Sequence, residues 1–75
     1  MDSKDKEYQA KAKGLLRAEM VKRDLSYEDL AEKLANIGIE ESAKNLSNKI
    51  GRGAFTAGFM LQCLEALGCD ALRLS

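Results

Sequence analysis

The sequence contains no histidine, no proline and no tryptophan, and it has only two cysteines among its 75 residues. Without histidine, the chain lacks the side chain that most often serves as a general base near neutral pH. Cys63 and Cys69 are too few to complete the four-ligand shell of a structural zinc ion within one chain. No grouping of carboxylates or thiols indicates a reaction centre. We therefore predict that the protein is not an enzyme and has no catalytic residues, no metal, no other cofactor and no evident small-molecule ligand.

Long apolar runs are also missing. No segment approaches the ~20 consecutive apolar residues that a membrane-spanning helix needs. The first residues, MDSKDKEYQAKAK, lack the apolar stretch of a secretory signal. We therefore expect a cytoplasmic protein without a membrane partner, in which Cys63 and Cys69 are free thiols rather than a disulfide.

The composition predicts one all-α domain over residues 1–75. A chain of this length is too short for two hydrophobic cores, and it buries only ~60% of its surface on folding. β-Branched residues are few, whereas alanine, leucine, glutamate and lysine dominate. We expect a compact bundle of four or five helices. Residues 1–7 are expected to be an N-terminal arm that frays, and residues 69–75 a short C-terminal turn or tail.

Capping residues mark the second helix most clearly. Ser26 is the expected N-cap, and Asp29 three residues later completes a capping box. Gly38 is expected to end the helix. The residues predicted to face the core at helical spacing are Leu30, Ala31, Leu34 and Ile37.

Three further helices are predicted around this one. The first is expected from about residue 4 to residue 23. The third is expected to begin between residues 40 and 42 and to stop at the glycines that flank Arg52. The fourth is expected to follow a Thr56 cap and to end at Gly68. Its wide apolar sector is predicted to contain Phe59, Met60, Leu61, Cys63, Leu64 and Leu67.

Charges are separated along the chain, although the net charge is zero. Residues 1–23 carry seven bases and four acids, residues 24–41 carry one base and six acids, and residues 42–54 carry three bases and no acid. A basic surface on one face can bind a polyanion even when the total charge cancels. From charge alone, a merely solvated polar face stays an open alternative.

The third helix has two different faces. Leu46 and Ile50 lie one turn apart and, together with Ala43 and Ser47, are predicted to form its inner side. At 100° per residue, the opposite face is polar. It is predicted to carry Lys44, Asn45, Asn48 and Arg52, with Lys49 on its flank.

Three segments of the sequence resemble the helix-turn-helix domain of Cro and phage repressors. They are LSYEDLAEKL at residues 25–34, GRG at residues 51–53 and EALG at residues 65–68. The resemblance covers about residues 15–72 and implies a lambda-repressor-like fold. The chain is also similar to a small bacterial family known only as a domain of unknown function, which carries an NK-x-x-RG-x-F pattern.

The resemblance implies a DNA-binding transcriptional regulator whose partner is double-stranded DNA. In Cro and phage repressors the third helix, here about residues 41–52, enters the major groove, and the second crosses the phosphate backbone. A homodimer would cover the two halves of a two-fold operator, with the broad apolar face of the fourth helix and Leu72 or Leu74 in the tail as the candidate contacts. Arg52 and the Tyr27 hydroxyl would meet phosphate. By position, the DNA-binding residues that the resemblance implies are Tyr27, Lys44, Asn45, Asn48, Lys49 and Arg52.

The chain departs from that family between Leu34 and Ile50, where its path is about two helical turns longer. The extra residues bring Glu40 and Glu41 close to the end of the third helix that would approach DNA. Either the two helices are each extended or the groove is approached differently. The alternative function is a helical protein-interaction adaptor that has the same fold and binds little or no DNA.

Overall fold

Four α-helices account for most of the chain in this computed structural model, which describes residues 3–74. They are α1 (Ser3–Lys22), α2 (Tyr27–Asn36), α3 (Ala43–Arg52) and α4 (Ala57–Leu67). No strand occurs among these described residues. Within them, no helix has both the length and the apolar character that crossing a membrane requires. The prediction of an all-α fold with four or five helices is confirmed.

Both ends of the chain can be compared with the predicted arm and tail. Residues 3–7, where fraying is predicted, are helical and exposed, and residues 1 and 2 lie outside the described part. At the other end, Gly68 caps α4 with a φ of +79°, and residues 69–74 form no helix. Leu72 in this tail packs against the core, so the tail is tied to the domain.

Capping side chains precede α2, α3 and α4, and α3 begins at Ala43, just after the predicted start at residues 40–42. The Ser26 hydroxyl accepts the Asp29 backbone N–H at 3.1 Å, and the Asp29 carboxylate accepts the Ser26 backbone N–H at 2.9 Å. This reciprocal pair is the predicted capping box. The backbone N–H of Ser26, and then its hydroxyl, hold the pKa of the Asp29 carboxyl below its ordinary value. Ser42 and Thr56 cap α3 and α4 through their hydroxyls, which accept the backbone N–H of Asn45 and of Phe59.

The end of α2 differs from the prediction at one residue. Ile37 is 41% exposed, so the prediction that it faces the core is wrong. The helix ends at Asn36, and Gly38 turns the chain with a φ of +86°. The backbone N–H of Ile39 then returns to the Leu34 carbonyl at 2.9 Å, a Schellman-type closure. Because of this turn, Ile39 rather than Ile37 packs against the core.

One hydrophobic core joins all four helices. α2 packs against α3 and α4, and α1 packs against the same two helices. Leu61 of α4 is 66% exposed, so the wide apolar sector predicted for this helix is only partly buried. The buried apolar residues are Leu16, Met20, Leu30, Leu34, Leu46, Ile50, Phe59, Cys63, Leu64 and Leu67.

Both cysteines are free thiols, as predicted. Cys63 is fully enclosed in the core, whereas Cys69 is half-buried at the start of the tail. Burial raises the pKa of the Cys63 thiol to about 11. The Cys63 side chain therefore behaves as a small apolar group of the core.

A charged side chain is buried at the end of α1. Glu19 is 7% exposed, and its carboxylate lies 2.6 Å from Arg23 Nη1 and 3.1 Å from Lys22 Nζ. The hydrogen bond from Arg23, and then that from Lys22, hold the pKa of Glu19 below its ordinary value. The chain then turns at Asp24, which has a φ of +56°. This ion-paired corner directs the chain from α1 into α2.

The backbone of α1 also approaches the turn that ends α3. Gly53 has a φ of +74°, a conformation that glycine adopts at little cost. A Cβ at this position would lie 3.0 Å from the backbone oxygen of Gln9. Glycine is therefore required here both by the turn and by the close passage of α1.

Candidate functional site

The outer face of α3 is polar and open to solvent. The polar side chains on this face, those of Lys44, Asn45, Asn48 and Arg52, are all exposed. Leu46 and Ile50 on the opposite side are fully buried. The helical spacing predicts this arrangement, but Ser47, which is predicted on the inner side, is exposed. We define the α3 outer face by the residues Lys44, Asn45, Asn48 and Arg52.

The two cations of the α3 outer face are not held in ion pairs by the described part of the chain. Lys44 and Arg52 make no salt bridge within residues 3–74. Arg52 Nε donates to the backbone oxygen of Asn48 at 3.2 Å, which lays the guanidinium along the face. The face therefore offers two amides and two cations to an external partner.

Lys49 is placed differently from the rest of the predicted set. Its ammonium lies 2.5 Å from the Glu41 carboxylate and 4.9 Å from the centre of the Phe59 ring. The Glu41 side chain is only 13% exposed, against 43% for Lys49. Lys49 thus joins the segment before α3 to α4, and a nearby acid offsets its charge. The pairing was not foreseen from the sequence, because it depends on how the turn at Ser42 folds Glu41 back along α3.

Lys13 of α1 contacts the end of α3. Its ammonium donates to the carbonyl oxygen of Gly51 at 2.9 Å, across 38 residues of sequence. The last carbonyls of a helix lack helical partners and carry partial negative charge, so a lysine is favoured there. Sequence reasoning missed this residue. Its only signal was a basic residue spaced four positions from Arg17, within the basic first segment.

Arg17, the second of these α1 bases, reaches both α2 and α3. Its Nε donates to the Tyr27 hydroxyl at 3.3 Å, and a Cβ at Gly51 would lie 3.8 Å from its Nη2. Tyr27, the first residue of α2, is half-buried. Its hydroxyl accepts from Arg17 and keeps its own proton to donate. The structure therefore brings Arg17, Tyr27 and the C-terminal end of α3 to the same region.

A shallow hollow lies between α3 and α4, next to Arg52. Phe55 and Phe59 form its apolar part, with ring centres 5.5 Å apart and planes inclined by 54°. Lys49 and Arg52 line its other side. We call this the α3–α4 hollow. No group of three or more acidic or cysteine side chains that could hold a metal ion occurs in the described part of the chain.

Comparison with known families places most of this architecture in one domain. A family model described as a domain of unknown function (DUF6471) matches residues 8–72. The chain belongs to this family. The DUF6471 match includes α2, α3 and α4 and most of α1, so the whole α3 outer face and both α1 bases lie inside it. No curated protein and no solved structure matches the chain significantly. The likeness to Cro and phage repressors stays a prediction.

Proposed function

We propose that this DUF6471 chain is a DNA-binding transcriptional regulator with a lambda-repressor-like helix-turn-helix, in which α3 enters the major groove. The observation that supports it is the α3 outer face. Amide and basic side chains are exposed on one side of a helix whose other side, at Leu46 and Ile50, is anchored in the core. A rigid helix with such a face is what reading base edges requires.

Each side chain of this face has a role that its chemistry suits. An asparagine amide can donate to N7 or accept from N6 of adenine, or do both at once. Asn45 and Asn48 lie three residues apart on one face and are therefore neighbours. Lys44 and Arg52 stand at the two ends of the face, where a cation reaches phosphate rather than bases. We assign base contacts to the two asparagines and phosphate contacts to the two cations.

The contacts from α1 support the same orientation. Arg17 and Tyr27 lie at the N-terminal end of α2, which crosses the phosphate backbone in this mode of binding. Lys13 holds the C-terminal end of α3 through Gly51. α2 and α3 have 10 residues each, and residues 37–42 connect them. The connection carries Glu41, which draws Lys49 away from the α3 outer face.

Binding to fluorescently labelled duplex DNA over a salt series tests the proposal. The parent should bind random-sequence duplex with an affinity that falls steeply between ~50 mM and ~200 mM salt. Arg52→Ala should weaken binding to all sequences alike and lower the slope by about 0.9, as for one lost phosphate contact. Gln62→Ala is the matched control, because Gln62 is an exposed polar residue of α4 outside the face.

Base reading is tested on a preferred site selected from genomic fragments. Asn45→Ala or Asn48→Ala should cost about 1–3 kcal/mol of binding free energy there and little on random duplex. Because both asparagines are exposed, neither change should lower stability appreciably. Leu46→Ala, in contrast, should cost about 2–5 kcal/mol of stability. The DNA-binding proposal is abandoned if the Arg52, Asn45 and Asn48 variants all bind duplex as the parent does across the salt series.

A second candidate function is a helical protein-interaction adaptor. It is favoured by the neutralisation of Lys49 by Glu41 and by the aromatic α3–α4 hollow at Phe55 and Phe59. The zero net charge also weakens long-range attraction to DNA. The absence of salt-dependent binding to random duplex would select this function over the first.

A further inference from the structure

Two apolar hollows lie on either side of Leu72, away from the α3 outer face. The first, which we call the α1 hollow, is formed by α1, Met60 and the tail. The second, the α4 hollow, is formed by α4 and the tail. Residues lining the α1 hollow include Tyr8, Lys11, Leu15, Met60, Leu72 and Leu74. Residues lining the α4 hollow include Leu61, Leu64, Glu65, Asp70 and Leu72.

Most of the exposed large apolar residues in the described chain line these two hollows. Tyr8 is 68% exposed, Leu61 66% and Leu74 63%. The only other exposed large apolar residues in the described chain are Val21 and Ile37. A contiguous apolar surface rimmed by charged residues is characteristic of an interaction site.

The charges around the two hollows are opposite. Lys11 lines the α1 hollow, which has no acid among its lining residues. Glu65 and Asp70 line the α4 hollow, which has no base. All three side chains are exposed. The surface therefore has a basic half and an acidic half, with Leu72 between them.

A second copy of the same chain fits this pattern. In a two-fold contact, the same patch is used by both partners, and each half faces the opposite half of the other copy. With the axis along the Leu72 ridge, the α1 hollow of one copy covers the α4 hollow of its partner. Lys11 then meets Glu65 and Asp70 twice, once on each side of the axis.

We propose that the chain forms a homodimer through the α1 and α4 hollows. A standard interface needs ~800 Å² from each partner, about a sixth of the 5147 Å² accessible surface of this chain. The proposal does not depend on DNA binding, since the surface lies apart from the α3 outer face. Its test therefore needs no DNA.

Analytical ultracentrifugation of the free protein at low salt, over a wide concentration series, measures the dimer Kd. Leu61→Ser should raise this Kd by at least ~10-fold, because a central apolar contact is removed. Val21→Ser is the matched control. Val21 is 78% exposed but lines neither hollow, so its replacement should leave the Kd within about twofold of the parent value.

Charge reversal identifies the orientation of the two copies. Lys11→Glu, and separately Glu65→Lys combined with Asp70→Lys, should each raise the Kd several-fold, and the chain that carries all three changes should return close to the parent value. Circular dichroism should show an unchanged helical spectrum for every variant. A protein that is monomeric throughout the series overturns the proposal, as does equal loss of association in the Leu61 and Val21 variants. Failure of the combined reversal at residues 11, 65 and 70 to restore association overturns it too.

Discussion

Glu41→Gln tests how the connection between α2 and α3 controls the DNA binding that we propose. In the parent, the Glu41 carboxylate lies 2.5 Å from the Lys49 ammonium, on the flank of the helix assigned to the groove. Glutamine keeps the size of the side chain but removes its charge. The Lys49 ammonium, which is 43% exposed as a side chain, is then left as an uncompensated cation at the edge of the α3 outer face.

The expected magnitude follows from counterion release. One additional phosphate contact steepens the dependence of log K on log salt by about 0.9. Lowering salt from ~200 mM to ~50 mM should therefore raise the affinity of the Glu41→Gln variant by about 3.5-fold more than that of the parent. In the parent background, Lys49→Gln should leave the slope nearly unchanged, because Glu41 already offsets that charge. Arg52→Ala, which removes an uncompensated cation, should lower the slope.

The assay is anisotropy of labelled random duplex, with urea unfolding to confirm that each variant is folded. The partly exposed ion pair should contribute no more than ~1 kcal/mol of stability. Glu40→Gln is the control, since it removes an exposed acid from the same connection without touching Lys49. Equal steepening in the Glu40 and Glu41 variants would show that total charge, not the specific pair, sets the slope. If the slope of log K against log salt does not steepen in the Glu41 variant, the inference that Glu41 keeps Lys49 from contacting phosphate is refuted.

Four further predictions concern the fold. Gly53→Ala should lower stability by about 1–3 kcal/mol in urea unfolding, because of the positive φ and the close α1 backbone. Gly14→Ala, with open space around the new methyl group, should instead stabilise α1 by about 0.5–1 kcal/mol, and a loss there would contradict this reasoning. Ser26→Ala should lower stability by about 1 kcal/mol at neutral pH. Folding lowers the pKa of Asp29. The stability that its carboxylate contributes is therefore fully present above the pKa of the unfolded state and is lost as pH falls through the pKa of the folded state. The difference between parent and variant should shrink in acid unfolding below about pH 4. Finally, burial raises the pKa of Cys63 to about 11, so an alkylating reagent at pH 8 should modify half-buried Cys69 first. Tandem mass spectrometry locates the label, and equal rates at the two thiols would contradict the burial.

The features that could be predicted from the sequence are those set by neighbouring residues. The Ser26 and Thr56 caps and the Gly68 stop depend on hydrogen bonds within a few positions, and all three are confirmed. The buried and exposed sides of α3 follow from helical spacing alone. Ile37 was assigned wrongly because the same spacing was extended past the residue at which α2 ends.

Features set by distant residues could not be predicted. Lys49 has the spacing of a surface residue, and only folding brings Glu41 and Phe59 to it. Lys13 approaches Gly51 from 38 positions away, so no local pattern could connect them. The exposure of Leu61 could not be predicted for the same reason. The apolar sector of α4 is visible in the sequence, but which part of it the other helices cover is not.

The two ends of α3 are held in different ways, and this affects how the chain tolerates changes of length. The C-terminal end is held by the Lys13 contact and by the passage of α1 against Gly53, where there is no room for an added methyl group. The N-terminal end follows the irregular connection over residues 37–42, and Ser42 caps α3 from within the chain itself. An inserted residue can therefore be absorbed before Ser42 while the C-terminal end of α3 keeps its place. We therefore expect the chain to tolerate changes of length on that side of the helix, whereas an insertion between α3 and α4 would disturb the fit of Gly53 against the backbone of α1.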